Sequence, residues 1–151
     1  MAKDNSISGV GGWLGLLIFG LMVLGPLILF GSTASTFAKS EIDNTALIGL
    51  ESWRLYKQAV WLTIFIEIGL RIYAGYLLWK VYIYESVKTS IKILWITGPA
   101  AAIFLNIILP QVIFDTLSLN EGIPEIIKAT ISAVVWVLYL KKSVRVKNTY
   151  R

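Results

Sequence analysis

Glu67 and Arg71 lie deep inside an apolar run, four residues apart. On a helix that spacing puts both side chains on one face, within reach of each other. An acid and a guanidinium so placed can act in two ways. They can neutralise each other and hold helices together, or they can form a polar centre that binds or relays a hydrogen-bonding species. Both readings stand at this point. Ala59, Thr63 and Gly75 continue the pair at steps of four, so small and polar groups form a stripe. Phe65, Ile68, Tyr76 and Trp79 lie largely elsewhere. The stripe is expected to face other helices. A second stripe, Gly98, Ala102, Asn106 and Pro110, has the same spacing. Its small residues allow close helix approach, and Asn106 can hydrogen-bond across the contact. Asn106 is therefore either the partner of Glu67 or Arg71, or an amide bonded to backbone that Pro110 sets free.

The residue types that are missing narrow the chemistry. The chain has no histidine and no cysteine. Disulfides, thiol nucleophiles, thiolate metal sites and the usual neutral-pH proton shuttle are excluded. No phosphate-binding loop, dinucleotide fingerprint, zinc motif or nucleophile elbow is present. Ser, Thr, Asp, Glu, Lys and Tyr remain, but the acids are scattered along block edges. The expectation is a protein that is not an enzyme, with no catalytic residue, no metal and no cofactor. The net charge of +5 raises the question of nucleic acid. The basic residues sit at the ends of apolar blocks, so the expected partner is the lipid bilayer and not nucleic acid.

Those blocks are the elements that must position the pair. Of 151 residues, 56% are apolar and 15% charged, which leaves too little polar surface for a water-soluble domain of this size. Four apolar stretches span about 9–30, 59–82, 91–114 and 124–140, followed by a basic tail, 141–151, within one membrane domain covering 1–151. Each is apolar at nearly every residue, and lipid offers no hydrogen bonds to backbone, so each is expected to be a helix rather than an alternating barrel strand. The predicted fold class is an all-α membrane protein, a four-transmembrane-helix bundle. The first block is longer than the usual signal-peptide core of about 7–15 residues, although Thr36-Phe37-Ala38 imitates a cleavage site. Gly31 to Arg54 is expected to be the longest loop, with Thr45 to Lys57 either extending the second helix or lying on the surface.

Basic residues near a membrane favour the cytoplasm. Lys3, the segment with Lys80, Lys88 and Lys92, and the tail fall on one side of a four-span chain. Lys39, Arg54, Lys57 and Lys128 fall on the other, with Glu41, Asp43, Glu51, Asp115, Glu121 and Glu125. Nine basic residues against four predict both termini in the cytoplasm. Trp53, Trp61, Trp79, Tyr82, Tyr84, Trp95 and Tyr139 lie near expected span ends, where aromatic rings sit at headgroup level. Lys141, Lys142, Arg145 and Lys147 are candidates for headgroup or partner contact, or a plain stop-transfer anchor. Gly11 and Gly15 form a small-xxx-small pair, expected to serve packing within the chain or a dimer contact.

Two segments carry a family resemblance. Gly11-Gly12-Trp13-Leu14 resembles a Gly-Gly-Trp-Leu lead-in to a first helix. Trp136, Tyr139, Ser143, Arg145-Val146-Lys147, Thr149 and Tyr150 resemble a closing pattern of Trp, Tyr, Ser, Arg-Val-Lys and Thr-Phe. Together they resemble the bacterial membrane proteins of domain-of-unknown-function family 2569. Leu138, where a proline is common, and Tyr150, where a phenylalanine is usual, depart from the pattern. The resemblance implies a small four-helix protein of the bacterial inner membrane, often with a glutamate in its second helix, matched by Glu67. It implies no established activity. Two functions are then expected in order: a non-enzymatic bundle that binds a membrane-protein partner or forms a homo-oligomer, organising the membrane; and a small transporter or channel subunit using Glu67, Arg71 and Asn106. A membrane enzyme acting on lipid or isoprenoid substrates ranks third.

Overall fold

The computed structural model describes residues 8–115 and 119–150, the side chains of 119–121 excepted. Lys3 and Arg151 of the charge comparison, and the side chain of Glu121, lie outside the described residues. Four helices are long and apolar enough to cross a membrane: α1 (Gly12–Asp43), α2 (Glu51–Lys80), α3 (Tyr84–Phe114) and α4 (Leu119–Lys142). A short α5 (Val144–Thr149) follows. The chain is an all-helical, multi-pass membrane protein.

The helices overrun their apolar blocks. At 32 and 30 residues, α1 and α2 measure roughly 45–48 Å, well beyond a hydrocarbon core of about 30 Å. The expected loop from Gly31 is instead helix as far as Asp43. Hydropathy marks where lipid ends, not where a helix ends. In this polar extension Ser32 and Ser40 donate back to the carbonyls of Leu29 and Thr36, which removes their competition with the helix. Tertiary contacts then hold it. Phe37 packs edge-on against Trp53 and Tyr56, and Glu41 accepts from Trp53 Nε1 at 2.9 Å and from Lys57 at 2.5 Å. Asn44 ends the helix and caps a 3-10 turn, Thr45–Gly49, by accepting from the Ala46 N–H. Helix α2 starts at Glu51. Trp53, assigned to the headgroup level by sequence, is 8% exposed because it belongs to this cluster.

Prolines are accommodated by wide turns. Pro26 follows a π turn at Gly20–Leu24, Pro99 lies in one at Ile96–Ala100, and Pro110 follows one at Phe104–Ile108. A proline cannot donate and its ring crowds the carbonyl four residues back; an extra residue in the turn relieves that clash.

Neighbours pack in chain order. Leu21 and Met22 of α1 fill the space left by Gly75 of α2. Ser90 of α3 donates to the Ala74 carbonyl of α2. Gly98 of α3 lies against Ala133 and Ala129 of α4, and Gly122 of α4 against the Asn106 backbone. One apolar core, with Leu14, Leu78, Val87, Leu140 and Val146, seals the end that carries the tail. A second, Phe37, Trp53, Val60, Ile64 and Leu109, lies at the opposite end and takes its members from α1, α2 and α3. Helices α1 and α4 both contribute residues to the first core and frame a cleft beyond it.

Candidate functional site

Between the two cores lies the pair. Glu67 Oε1 and Arg71 Nη2 are 2.5 Å apart, with side chains 6% and 24% exposed. The same Nη2 donates to the Thr97 carbonyl at 2.8 Å. That carbonyl belongs to α3 within the π turn Ile96–Ala100, so the widened turn helps present an acceptor to a cation of α2. Arg71 Nε is buried without a hydrogen-bond partner. A buried donor left unbonded costs about 1–3 kcal/mol. A contact serving cohesion alone gains nothing from leaving it so.

The inward stripe of α2 differs from the expected one. Its buried members are Trp53, Val60, Ile64, Glu67, Ala74, Gly75 and Leu78, which follow the helical period of about 3.6 residues, with Arg71 reaching in between Glu67 and Ala74. Strict steps of four drift about 40° per turn on a 3.6-residue helix. By Thr63 and Ala59 that drift has turned the predicted stripe toward the side of the bundle. Thr63 donates to the Ala59 carbonyl and borders a small apolar groove with Ile66 and Phe104.

A cavity of about 620 Å³ reaches the pair. Ser32, Thr33 and Thr36 of α1 form one wall, Tyr56, Glu67 and Arg71 of α2 the floor, and Thr97, Ala102 and Asn106 of α3 with Glu125 and Ala129 of α4 the other side. Glu67, Arg71 and Asn106 thus border one space. The Asn106 amide, however, donates to the Ala102 carbonyl one turn back at 2.9 Å, and not to Glu67 or Arg71. Asn106 contributes its backbone to the α3–α4 contact at Gly122 and its side chain to the cavity wall. Among the described residues no three acidic, histidine or cysteine side chains converge as a metal site requires. The cavity mixes polar groups with apolar walls, Leu29, Val60, Ile64 and Leu105 among them, and its volume is within the range of small-ligand sites.

The other candidate residues divide. Gly75 and Gly98 take close helix neighbours, and Ala102 borders the cavity. Gly15 has no atom within 4 Å of where a Cβ would stand, whereas such a Cβ on Gly11 would be 2.9 Å from Arg145 Nη1. The spacing of Gly11 and Gly15 thus produces no shared packing face inside the chain. Gly12 has φ +55 and also faces the Arg145 guanidinium, so a side chain there is strained. Lys141, Lys142 and Lys147 are exposed, while Arg145 is folded against the start of α1.

The tail latch was not legible in the sequence. Ser143 caps α5 by accepting from the Val146 N–H. Val146 and Tyr150 are buried at 1% and 3%. The Gly9 N–H donates to Thr149 Oγ1 at 2.8 Å across 140 residues of chain, and the Tyr150 hydroxyl donates to the Leu78 carbonyl near the end of α2. Burial, with Tyr82 and Tyr139 nearby, pushes that hydroxyl above the ordinary tyrosine value of 10.0. Both described termini lie at this end. The hydroxyl wall of Ser32, Thr33 and Thr36 was also missed, though its signal was present: polar residues at helical spacing directly beyond an apolar block.

A four-helix membrane bundle, with a charged pair at its waist and its first and last segments locked together, defines the class. The chain belongs to the family described as protein of unknown function (DUF2569), whose model matches residues 7–151. Neither a curated protein nor a solved structure matches the chain. Gly11-Gly12-Trp13 and Arg145-Val146-Lys147, the segments that carried the resemblance, are in contact through Arg145.

Proposed function

We propose that this is a non-enzymatic inner-membrane protein that binds a small polar species at the Glu67–Arg71 centre, as a transporter or channel subunit. The carrying observation is the cavity of about 620 Å³ that ends on the pair. Intramembrane ionic groups face the bundle interior or a water-filled cavity and mark substrate and ion pathways. Its presence moves this reading ahead of the partner-binding one favoured by sequence. Orientation with both termini in the cytoplasm is part of the proposal. It is supported by Lys80, Lys88, Lys92, Lys141, Lys142 and Lys147 clustering toward the end where the described termini meet.

Labelling tests it. The chain has no cysteine, so single-cysteine variants report one position each. Maleimides react with thiolates, which form in water and not in lipid. Thr36→Cys and Ala102→Cys should react with a membrane-impermeant maleimide in sealed vesicles, Ile66→Cys should not, and the reactive pair should be reached from the face opposite the tail. Failure of both cavity positions to react rejects an open polar site.

A partner-binding or membrane-organising role keeps one supporting observation, the open cleft between α1 and α4. Crosslinking from Lys141, Lys142 or Lys147 in native membranes should capture one defined protein under that reading; capture of lipid alone counts against it.

A further inference from the structure

Arg71, with Thr97, Gly98 and Ala129, borders two spaces. On its other side a second cavity of about 260 Å³ lies between α1, α3 and α4. Leu17, Leu21, Leu94 and Trp136 form apolar walls, and Arg71 and Ser132 supply polar atoms. Its mouth is flanked by Ile28, 64% exposed, and by exposed Ser132. These residues lie within the apolar spans of α1 and α4, so the opening faces lipid and not water. Charge is distributed unevenly about the guanidinium. Glu67 and Glu125 line the first cavity, while no acid among the described residues lines the second. Nη2 is held by Glu67 and Thr97, whereas Nη1 lies on the Gly25 side, 3.3 Å from where a Cβ on that residue would stand. Glycine at 25 thus leaves room beside a donor that is open to the second cavity.

We infer that this second cavity binds a single-chain amphiphile with an oxyanion head, a carboxylate or a phosphate monoester, the head on Arg71 and the chain running out past Ile28 into the bilayer. This deepens the proposed function by naming a ligand class, and it rests on the polar centre being a binding site. Guanidinium donors match oxyanion geometry. An alkyl chain gains little by leaving lipid for an apolar cavity, because lipid is already apolar. Selection therefore falls on the head, which meets Nη1 in a cavity whose lining carries no acid, while the Glu67 carboxylate is engaged on Nη2 at the other side of the guanidinium.

The test uses the full chain in phosphatidylcholine nanodiscs with dodecanoate, dodecyl phosphate, dodecanol, acetate and inorganic phosphate as probes. One or both anionic amphiphiles should bind at least tenfold tighter than dodecanol, and the comparison of the two identifies the head. Acetate and inorganic phosphate should not compete. Arg71→Gln should erase the preference over dodecanol. Ser132→Leu, which narrows the mouth and leaves the ion pair intact, should weaken amphiphile binding tenfold or more and keep the fold if Arg71→Gln does not. Equal binding of dodecanol, binding of the soluble anions alone, or indifference to Ser132→Leu overturns the inference. So does stoichiometric disulfide formation between copies of Ile28→Cys, which would make a second copy the occupant. Labelling of Thr36→Cys and Ala102→Cys on the same preparations separates the two claims. Labelling without amphiphile binding retires this inference and leaves the polar-centre reading, and loss of both retires both.

Discussion

The bundle is closed at the tail end and open at the waist, although the same four helices run through both. At the tail end Leu14, Leu78, Leu140 and Val146 are at most 1% exposed, and they come from α1, α2, α4 and α5. Around the waist α4 gives the cavity Glu125 and Ala129 and gives the far core nothing. The difference is one extra layer. Helix α5 turns back beneath the bundle and ties α4 to the start of α1 through Arg145 and Thr149, and the following Tyr150 ties it to α2. Where no such tie exists, α1 and α4 frame two cavities, one with polar groups of α1, α2 and α4 in its lining and one with mainly apolar walls. Closure in this fold is thus a property of the tail, and opening a property of its absence.

The sharpest way to break that contrast is to unbalance the waist. Glu67→Ala strands a buried guanidinium and should destabilise the protein by about 3–5 kcal/mol, while Glu67→Gln, which keeps an acceptor, should cost less. Denaturant unfolding in detergent measures both. If neither variant alters folding but both abolish ligand flux, the pair is not adhesive and the transport reading gains. The next effect tests the packed end. Leu14→Ala should cost about 2–5 kcal/mol through the cavity it leaves, whereas Thr33→Ala on the open wall should stay within about 0.5 kcal/mol. Equal losses at the two positions would deny that one half is packed and the other open.

The smallest effect concerns the tie itself. Tyr150→Phe, which restores the residue usual in the family pattern, should cost on the order of 1 kcal/mol by removing the bond to the Leu78 carbonyl. The sign with pH follows from the raised folded-state value of Tyr150. Above the ordinary tyrosine value of 10.0 the unfolded chain releases this proton and the folded one keeps it, so stability falls as pH rises past that point. Below it the group contributes no pH dependence. Tyr150→Phe should remove its share of the alkaline loss. An unchanged alkaline profile would mean that the hydroxyl is not buried against α2.

The pair was legible because charge inside an apolar helix is costly and stands out at any register. Its neighbours were not, because a step-of-four stripe drifts off the true face and only packing fixes which side of α2 is inward. Asn106 shows the same limit. Its spacing on α3 brought it to the cavity, while its amide went to Ala102 on its own helix, a local choice no stripe predicts.

What the amino-acid sequence determined by itself is the number of spans, their helical form and the Glu67–Arg71 contact. Each follows from a local rule: apolar length against bilayer thickness, backbone bonding in the absence of water, and the reach of residues four apart. Only the tertiary structure decided where α1 stops, which carbonyl receives Arg71, and that the last residues return to the first. Those outcomes depend on contacts between segments far apart in the chain, and no local pattern holds both partners at once.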